Sequence, residues 1–159
     1  YGKKLTKPGE IHNIHGKKIG MHSGLIDYTI GQRERLGLGG PKAYYVVKLD
    51  VAKNILVVGD EEDLYSKELI ASSLNWINLT DKQQLTDDNI KAQIRYGHPI
   101  ENCKISKEKN GIKVIFEKPQ RAITPGQSIV FYSSRAPLGI KSRDKNEEIL
   151  GGGNIEEKI

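Results

Sequence analysis

Three histidines near the start of the chain, His12, His15 and His22, could support metal chemistry, since imidazole nitrogens are common zinc ligands. On an extended strand, however, side chains three positions apart project to opposite faces, so His12 and His15 cannot reach the same ion. Neither a carboxylate nor a cysteine completes the set of ligands. The sequence therefore predicts no metal site.

The one cysteine, Cys103, is a candidate nucleophile, but reactive thiols need an accessible and electropositive setting. It lies within the alternating segment NCKISKE, and the Asn110-Gly111 pair that follows predicts a β-hairpin with a type I′ turn. In this hairpin Cys103 and Ile105 face the same way as the apolar residues of the partner strand, so Cys103 is predicted to be buried. A single cysteine cannot form an intramolecular disulfide, which fits a reducing cytoplasm.

The stretch HSGLIDYTIGQRERLGLGG, from His22 to Gly40, holds five glycines in nineteen residues, which indicates tight turns or a close approach to another molecule. A dinucleotide-binding G-x-G-x-x-G motif starting at Gly37 requires a glycine where Lys42 stands, and the order of strand, loop and helix is absent. The segment HGKKIG lacks the spacing and the Ser or Thr of a P-loop. The sequence predicts no nucleotide site of a recognised kind.

The segment QIRYGH ends a predicted strand with Arg95, Tyr96 and His98, in a part of the chain where residues 91–143 carry eleven basic and three acidic side chains. Arginine binds phosphate in a bidentate manner, and tyrosine or histidine can stack on an unpaired base, as in many RNA contact surfaces. In the alternative interpretation the tyrosine packs inside a barrel, the arginine lies on its rim, and the lysines are solvated side chains of sheet edges. The residues alone leave both interpretations open.

The segment PQRAITPGQSIVFY is constrained by its imino acids and glycine, because Pro119, Pro125 and Gly126 predict two turns around a short stretch. Arg121 and Gln127 therefore have restricted positions. Such restriction is compatible with a binding surface, but barrel closure requires it too.

Strands must position all of these residues. Period-two alternation with β-branched and aromatic side chains recurs along the chain, whereas no amphipathic helical pattern lasts beyond about two turns. The sequence therefore predicts an all-β protein, with a second hairpin in YYVVKLDVAKNILVVG and a short helical turn in DEEDLYS. The predicted strands are GEIHNI, KKIGMH, AYYVVKLD, NILVVGD, ELIASSLNWI, IKAQIRY, ENCKISKE, GIKVIFEK, QSIVFYSS and ILGGGNI.

The polar stretch LTDKQQLTDDNIKA has little to bury, so we predict two modules, residues 1–80 and 81–159, with the boundary near Asp81. The charged segment Ser133 to Glu148 is predicted to be a long exposed loop or partly disordered. No apolar run reaches the roughly 20 residues that cross a bilayer, and no signal peptide opens the chain, so a soluble cytoplasmic protein without a membrane partner is expected. Because the chain begins at Tyr1, we also expect it to be a fragment of something longer.

Several blocks of the sequence closely resemble the central and C-terminal portions of the tRNA-specific 2-thiouridylases, the MnmA or TrmU family. The blocks occur in the family's order, cover most of the chain, and include YTIGQR, AITPGQ and LGGG, whose chance occurrence together is very small. The matching blocks are PGEIHNIHGKKIGMHSGLIDYTIGQRERLGLGG, YYVVKLDVAKNILVVG, LIASSLNWI, IRY, FEKPQRAITPGQSIVFY and LGGGNI.

The resemblance implies a sulfurtransferase that uses ATP to adenylate the C2 oxygen of the wobble uridine of certain tRNAs, which a protein-bound persulfide then replaces with sulfur. In this family the ATP site, with Mg, and the catalytic cysteines belong to segments that this sequence lacks, so no catalytic residue and no cofactor are expected within it. Implied partners are tRNA, the N-terminal catalytic domain of the same chain, and a cysteine desulfurase or sulfur-relay protein. The implied fold is a partial β-rich adaptor domain followed by an elongation-factor-like β-barrel.

Carried over residue by residue, the resemblance implies that Arg95, Tyr96 and Gln127 contact tRNA, and that Gln32 and Arg33 lie near the junction of adaptor and tRNA. Two departures stand out. Gly97-His98 follows the Arg-Tyr pair where the family usually has a basic residue or Gln, and the chain has an insertion at residues 135–148. The alternatives are a stand-alone β-barrel RNA-binding or translation-associated module, and a purely structural interaction domain.

Overall fold

The computed structural model describes residues 5–77, 90–133, 141–142 and 145–159. Strands dominate these residues, so the predicted all-β fold class is confirmed. The predicted helical turn is a 3-10 helix at Glu62–Leu64, and another 3-10 helix lies at Leu25–Asp27. Within the described residues, none of the helices has the length and apolar character needed to pass through a membrane.

The first compact unit, residues 1–65, is built on a four-stranded sheet. Its strands are β1 (Gly9–Asn13), β2 (Lys18–His22), β3 (Tyr45–Asp50) and β4 (Ile55–Gly59). Two antiparallel hairpins, β1–β2 and β3–β4, are joined by the parallel pairing of β1 with β4. The β3–β4 hairpin is the one that the sequence predicts. Ile11, Val46 and Leu56 are fully buried and form the centre of this unit's core.

The second compact unit, residues 66–159, is a closed β-barrel. Its strands are β5 (Tyr65–Trp76), β6 (Ile90–Gln93), β7 (Glu101–Glu108), β8 (Gly111–Arg121), β9 (Ser128–Ser133), β10 (Lys141–Ser142) and β11 (Lys145–Lys158). The strands follow each other around the barrel in the order β11-β5-β8-β7-β6-β9, and the pairing of β11 with β9 closes it. β10 pairs only with β11 among the described strands.

The interior of the barrel is filled by apolar side chains that alternate along the strands, among them the fully buried Phe116 and Phe131. Cys103 pairs with Phe116 in the predicted β7–β8 hairpin and is 3% exposed, so its predicted burial is confirmed. Burial raises the pKa of the Cys103 thiol to about 12, which keeps the sulfur protonated at neutral pH. A protonated and inaccessible thiol is a poor nucleophile.

The division between the two units falls between Tyr65 and Ser66, not near Asp81 as the sequence predicts. The reason is that β5 belongs to the barrel, where it lies between β11 and β8. Asp81 itself lies outside the described residues. The two cores are separated earlier in the chain.

The segment predicted as a loop, Ser133 to Glu148, contains a strand pair. Lys141 of β10 pairs with Glu148 of β11, and Ser142 pairs with Lys145, while residues 134–140 and 143–144 lie outside the described ranges. Main-chain hydrogen bonds create this pairing, and a charged composition gives no signal for it. The predicted strand ILGGGNI is thus the central part of a longer β11.

Candidate nucleic-acid interface

One end of the barrel gathers the residues of the second unit that the sequence singled out. β6 and β8 end there and β7 and β9 begin there, because these neighbours are antiparallel, as in the pairing of Gln93 with Val130. Two loops lie at this end, residues 94–100 between β6 and β7 and residues 122–127 between β8 and β9. We call it the loop end of the barrel. It carries Arg95, Tyr96 and Gln127.

The 94–100 loop presents a tyrosine to solvent. Its tight turn is closed by the backbone N–H of His98, which donates to the carbonyl of Arg95 at 3.1 Å, and Gly97 supplies the left-handed φ of +81°. The Gln93 side chain donates to the His98 carbonyl at 2.6 Å and ties the turn to β6. Tyr96 is 100% exposed, so the alternative of a tyrosine packed inside the barrel is wrong.

The 122–127 loop closes the barrel and fixes a polar side chain at its rim. Ile123 is fully buried and belongs to the barrel core. The backbone N–H of Gly126 donates to the carbonyl of Ile155 at 2.8 Å, and the N–H of Ile155 donates to the carbonyl of Gln127 at 2.8 Å. The same loop therefore closes the barrel and holds Gln127 in a defined, half-buried position.

Arg121 brings a second arginine to the loop end. It is the last residue of β8, and the turn predicted at Pro119 is absent because Pro119 lies within that strand. Pro119 lies beyond the part of β8 that pairs with β7, so it removes no hydrogen bond from that ladder. The sequence identified Arg121 as constrained, but strand pairing was needed to place it beside the 94–100 loop.

The charges of two arginines act on the imidazole of His98. The pKa of His98 is lowered, first by desolvation and then by the positive charges of Arg95 and Arg121. Each arginine therefore acts on the imidazole, one from the same loop and one from the end of β8. We call these three residues, all of which lie at the loop end of the barrel, the Arg95–His98–Arg121 cluster.

In the first unit, Gln32 holds the glycine-rich loop together. Its side-chain oxygen accepts from the N–H of Thr29 at 3.1 Å, and its side-chain nitrogen donates to the carbonyl of Glu34 at 2.9 Å. Both ends of the amide are thus engaged within the loop. The neighbouring Arg33 is exposed, so of this predicted pair it is the side chain that is available to another molecule.

Arg33 lines a basic cleft of about 300 Å³ together with Arg35 and Lys42. Lys42 forms an ion pair with Asp60 at 2.8 Å and lies 5.5 Å from the centre of the Tyr44 ring. The hydrogen bond that Lys42 donates to the Asp60 carboxylate raises the pKa of Lys42, so that lysine stays charged. The cleft offers anions a polar and positively charged lining.

The glycine-rich segment is not built to bind the phosphates of a nucleoside triphosphate. Residues 36–44 lead into β3 and not into a helix, so the loop lacks the array of helix N-terminal N–H groups that hold phosphates in dinucleotide and P-loop sites.

Two of the histidines considered as metal ligands have other contacts. His12 donates to the Glu10 carboxylate at 2.7 Å, and His22 is buried with its ring nitrogen 3.2 Å from the Asn54 carbonyl oxygen. In the ranges that the structure describes, no group of three or more His, Cys, Asp or Glu is placed to hold a metal ion.

The two compact units correspond to two known domain families. Residues 66–155 match the family model described as the aminomethyltransferase beta-barrel domain, which covers the barrel. Residues 3–60 match the model described as the tRNA methyl transferase PRC-barrel domain, which covers the four-stranded unit. The boundary between the matches agrees with the division after Tyr65.

Several curated relatives are named tRNA-specific 2-thiouridylase MnmA. The chain is 43% identical over 157 residues to the tRNA-specific 2-thiouridylase MnmA of Halothermothrix orenii, covering 98% of this chain and 40% of the relative. It is 44% identical over 158 residues to MnmA 2 of Thermoanaerobacter sp., covering 99% and 40%. It is 41% identical over 142 residues to MnmA of Pseudomonas aeruginosa (strain LESB58), covering 84% and 37%. The chain thus spans about 40% of the length of these relatives.

Proposed function

Because this chain belongs to the tRNA-specific 2-thiouridylase MnmA family, we propose that it is the part of such an enzyme that binds tRNA. The whole enzyme exchanges the C2 oxygen of a wobble uridine for sulfur. In this proposal ATP activates that oxygen, a protein-bound persulfide delivers the sulfur, and a cysteine desulfurase or sulfur-relay protein supplies it. The reaction takes place in the cytoplasm.

The observation that carries the proposal is the fully exposed Tyr96 beside the Arg95–His98–Arg121 cluster. A fully exposed aromatic ring is suited to stack on an unpaired base, and arginine is suited to bind phosphate. Gln127 lies at the same end of the barrel and offers an amide that both donates and accepts. A nucleic acid with unpaired bases and a phosphate backbone complements this combination.

The properties of Cys103 support a division of labour within the enzyme. Persulfide chemistry requires an accessible thiolate. The thiol of Cys103 does not meet this requirement, because its pKa is about 12 and it is buried in the barrel core. We therefore assign the catalytic cysteines, and the ATP and Mg site, to residues outside these 159. The present residues bind and orient tRNA.

The four-stranded unit contributes a secondary contact in this proposal. Arg33 is exposed and lines the basic cleft, where Arg35 and Lys42 add further positive charge. A phosphate of the tRNA backbone is the ligand that such a lining favours. Gln32 acts indirectly, because its amide holds the loop that presents Arg33.

The first test is binding of tRNA to this chain by fluorescence anisotropy over a range of salt concentrations. Each phosphate neutralised by the protein contributes about 0.7 to 0.9 to the slope of log Kd against log salt. Two or more phosphates at the arginines predict that binding weakens by about tenfold between about 50 and about 200 mM salt. The same preparation is expected to hydrolyse no ATP.

Three results would count against this assignment. Absence of tRNA binding at moderate salt would favour a purely structural interaction domain. Binding that does not respond to salt would remove the phosphate contacts from the account. An unrelated single-stranded RNA that binds as tightly as tRNA would favour the stand-alone RNA-binding module.

A further inference from the structure

The direction of the Tyr96 ring is set by the backbone of its loop, because a fully exposed side chain is not oriented by its own packing. Tyr96 and Gly97 are the two central residues of the turn that the Arg95 carbonyl and the His98 N–H close. Before this turn, Ile94 is buried and belongs to the barrel core, which anchors the start of the loop. The contacts that hold the turn beyond Ile94 therefore decide where the ring points.

A chain of hydrogen bonds holds the far side of the turn. The N–H of His98 donates to the Arg95 carbonyl at 3.1 Å, and the carbonyl of His98 accepts from the side-chain nitrogen of Gln93 at 2.6 Å. The side-chain oxygen of Gln93 accepts in turn from the hydroxyl of Tyr132 at 3.2 Å. Both backbone polar groups of His98 and both ends of the Gln93 amide are therefore engaged.

This chain connects the loop to the barrel wall. Tyr132 is buried in β9, and Gln93 is half-buried in β6, where it pairs with Val130 of the same neighbouring strand. The hydroxyl of Tyr132 donates to the amide oxygen of Gln93, so the amide nitrogen is directed to the loop. Hydrogen bonds in such a buried network strengthen one another. The barrel wall thus fixes the turn that carries Tyr96.

We propose that Gln93 and Tyr132 are positioning residues for tRNA binding, which hold the 94–100 loop so that Tyr96 meets an unpaired base without a change of backbone conformation. The inference rests on the proposed function, since the base is one of the bound tRNA. Neither side chain touches the RNA in this arrangement, because both act through Tyr96. Order that is present before binding does not have to be created at the moment of binding, and affinity rises accordingly.

The first test removes the two hydrogen bonds of the Gln93 side chain. Gln93→Met keeps the length of the side chain but neither donates to His98 nor accepts from Tyr132. When only a fraction of the protein has the binding conformation, the apparent Kd rises by the inverse of that fraction. Loss of a hydrogen bond of ordinary strength lowers the fraction to about one-fifth, so the Kd for tRNA is expected to rise about fivefold. Tyr132→Phe removes the hydroxyl alone and is expected to raise the Kd about twofold to threefold.

A double-mutant cycle separates positioning from a general loss of structure. In a Tyr96→Ala background, Gln93→Met is expected to change the Kd by less than about twofold, because no ring is left to position. The matched control is Gln120→Met. Gln120 is buried and also donates its side-chain nitrogen to a backbone carbonyl, that of Lys118 at 2.9 Å, but this bond lies within β8 and holds no loop. Gln120→Met is expected to lower stability and to leave the Kd within about twofold.

NMR relaxation of the backbone amides measures the positioning without RNA. In the unchanged chain, the order parameters of residues 95–98 are expected to be near the rigid value of about 0.85. In Gln93→Met they are expected to fall towards about 0.6, while those of β7 and β8 stay the same.

The outcomes distinguish the positioning role from the proposed function. The positioning role is refuted, and the proposed function stands, if tRNA binds and Gln93→Met raises the Kd by less than about twofold, or by the same factor with and without Tyr96. Unchanged order parameters, or an equal loss of affinity in Gln120→Met, would refute it as well. If tRNA does not bind to the unchanged chain, the proposed function fails first and the positioning role with it.

Discussion

Exchanging Arg95 and Tyr96 together for alanine is expected to raise the Kd for tRNA by about 100-fold at moderate salt. Loss of a base stacked on an aromatic side chain costs about 1 to 3 kcal/mol, and loss of an arginine contact to phosphate costs about 1 kcal/mol or more. Together these losses reach the roughly 2.7 kcal/mol that a 100-fold change represents. The fold is expected to be unaffected, because Tyr96 is fully exposed and Arg95 lies in a loop.

The matched control removes two cations from the opposite end of the barrel. Lys107 and Lys109 flank the β7–β8 turn and are exposed, so the double alanine variant at these positions removes more charge without touching the loop end. A small loss of affinity, below about threefold, is expected from the reduced net charge. Equal losses in the two double variants would mean that the barrel attracts RNA by overall charge and has no binding face.

The replacement Gly151→Ala is expected to lower the free energy of unfolding of the barrel by about 3 kcal/mol. A Cβ at this position would overlap the carbonyl oxygen of Asn75 and lie 2.9 Å from both the Cα and the ring Cε3 of Trp76. The φ of +157° adds strain for any residue with a side chain. Overpacking costs about 1 to 3 kcal/mol and the backbone term about 1 kcal/mol or more.

The position of Gly151 explains why no larger residue fits. β11 lies between β5 and β9, with Gly151 paired to Trp76 on one side and to Phe131 on the other. The rings of Trp76 and Phe131 are 5.1 Å apart, so the aromatic pair occupies the space beside the glycine. A side chain at Gly151 would have to displace β5 or the Trp76 ring, and either movement disrupts the pairing of β11 with β5.

The control for this prediction is Gly126→Ala, which has a positive φ of +84° but no atom within 4 Å of the added Cβ. It is expected to cost about 1 kcal/mol, from backbone strain alone. Urea denaturation followed by the fluorescence of Trp76, the one tryptophan, reports the barrel selectively. Equal losses for the two variants would show that crowding at Gly151 contributes nothing.

Local patterns in the sequence predicted the strands, because alternation and turn residues act over a few positions. The β7–β8 hairpin and the burial of Cys103 follow from such patterns, and both are confirmed. The predicted type I′ turn at Asn110-Gly111 is wrong, because Glu108 pairs with Gly111 and neither of the turn residues between them, Lys109 and Asn110, has a positive φ. The assignment of β5 to the barrel could not be predicted in this way. It depends on pairing with β11, which lies at the far end of the chain, and no single-sequence pattern encodes a partner at that distance.

The candidate interface shows the same division. The Arg-Tyr pair was visible as a basic and aromatic motif, and the turn at Gly97 exposes Tyr96, whereas Arg95 is half-buried. His98 and Arg121 lie at the same end of the barrel because β6 and β8 both end there, a consequence of strand order. Gln32 shows the converse case, in which a conspicuous polar residue is engaged in hydrogen bonds within its own loop.

Site-specific photo-cross-linking to tRNA tests most directly whether the loop end of the barrel is the binding face. A benzophenone amino acid would replace Tyr96 or Gln127 at the loop end, or Lys109 at the opposite end. We predict strong cross-links from positions 96 and 127 that unlabelled tRNA competes away, and only background from position 109. Cross-links of similar yield from position 109, or none from positions 96 and 127 under conditions where tRNA is bound, would contradict the account.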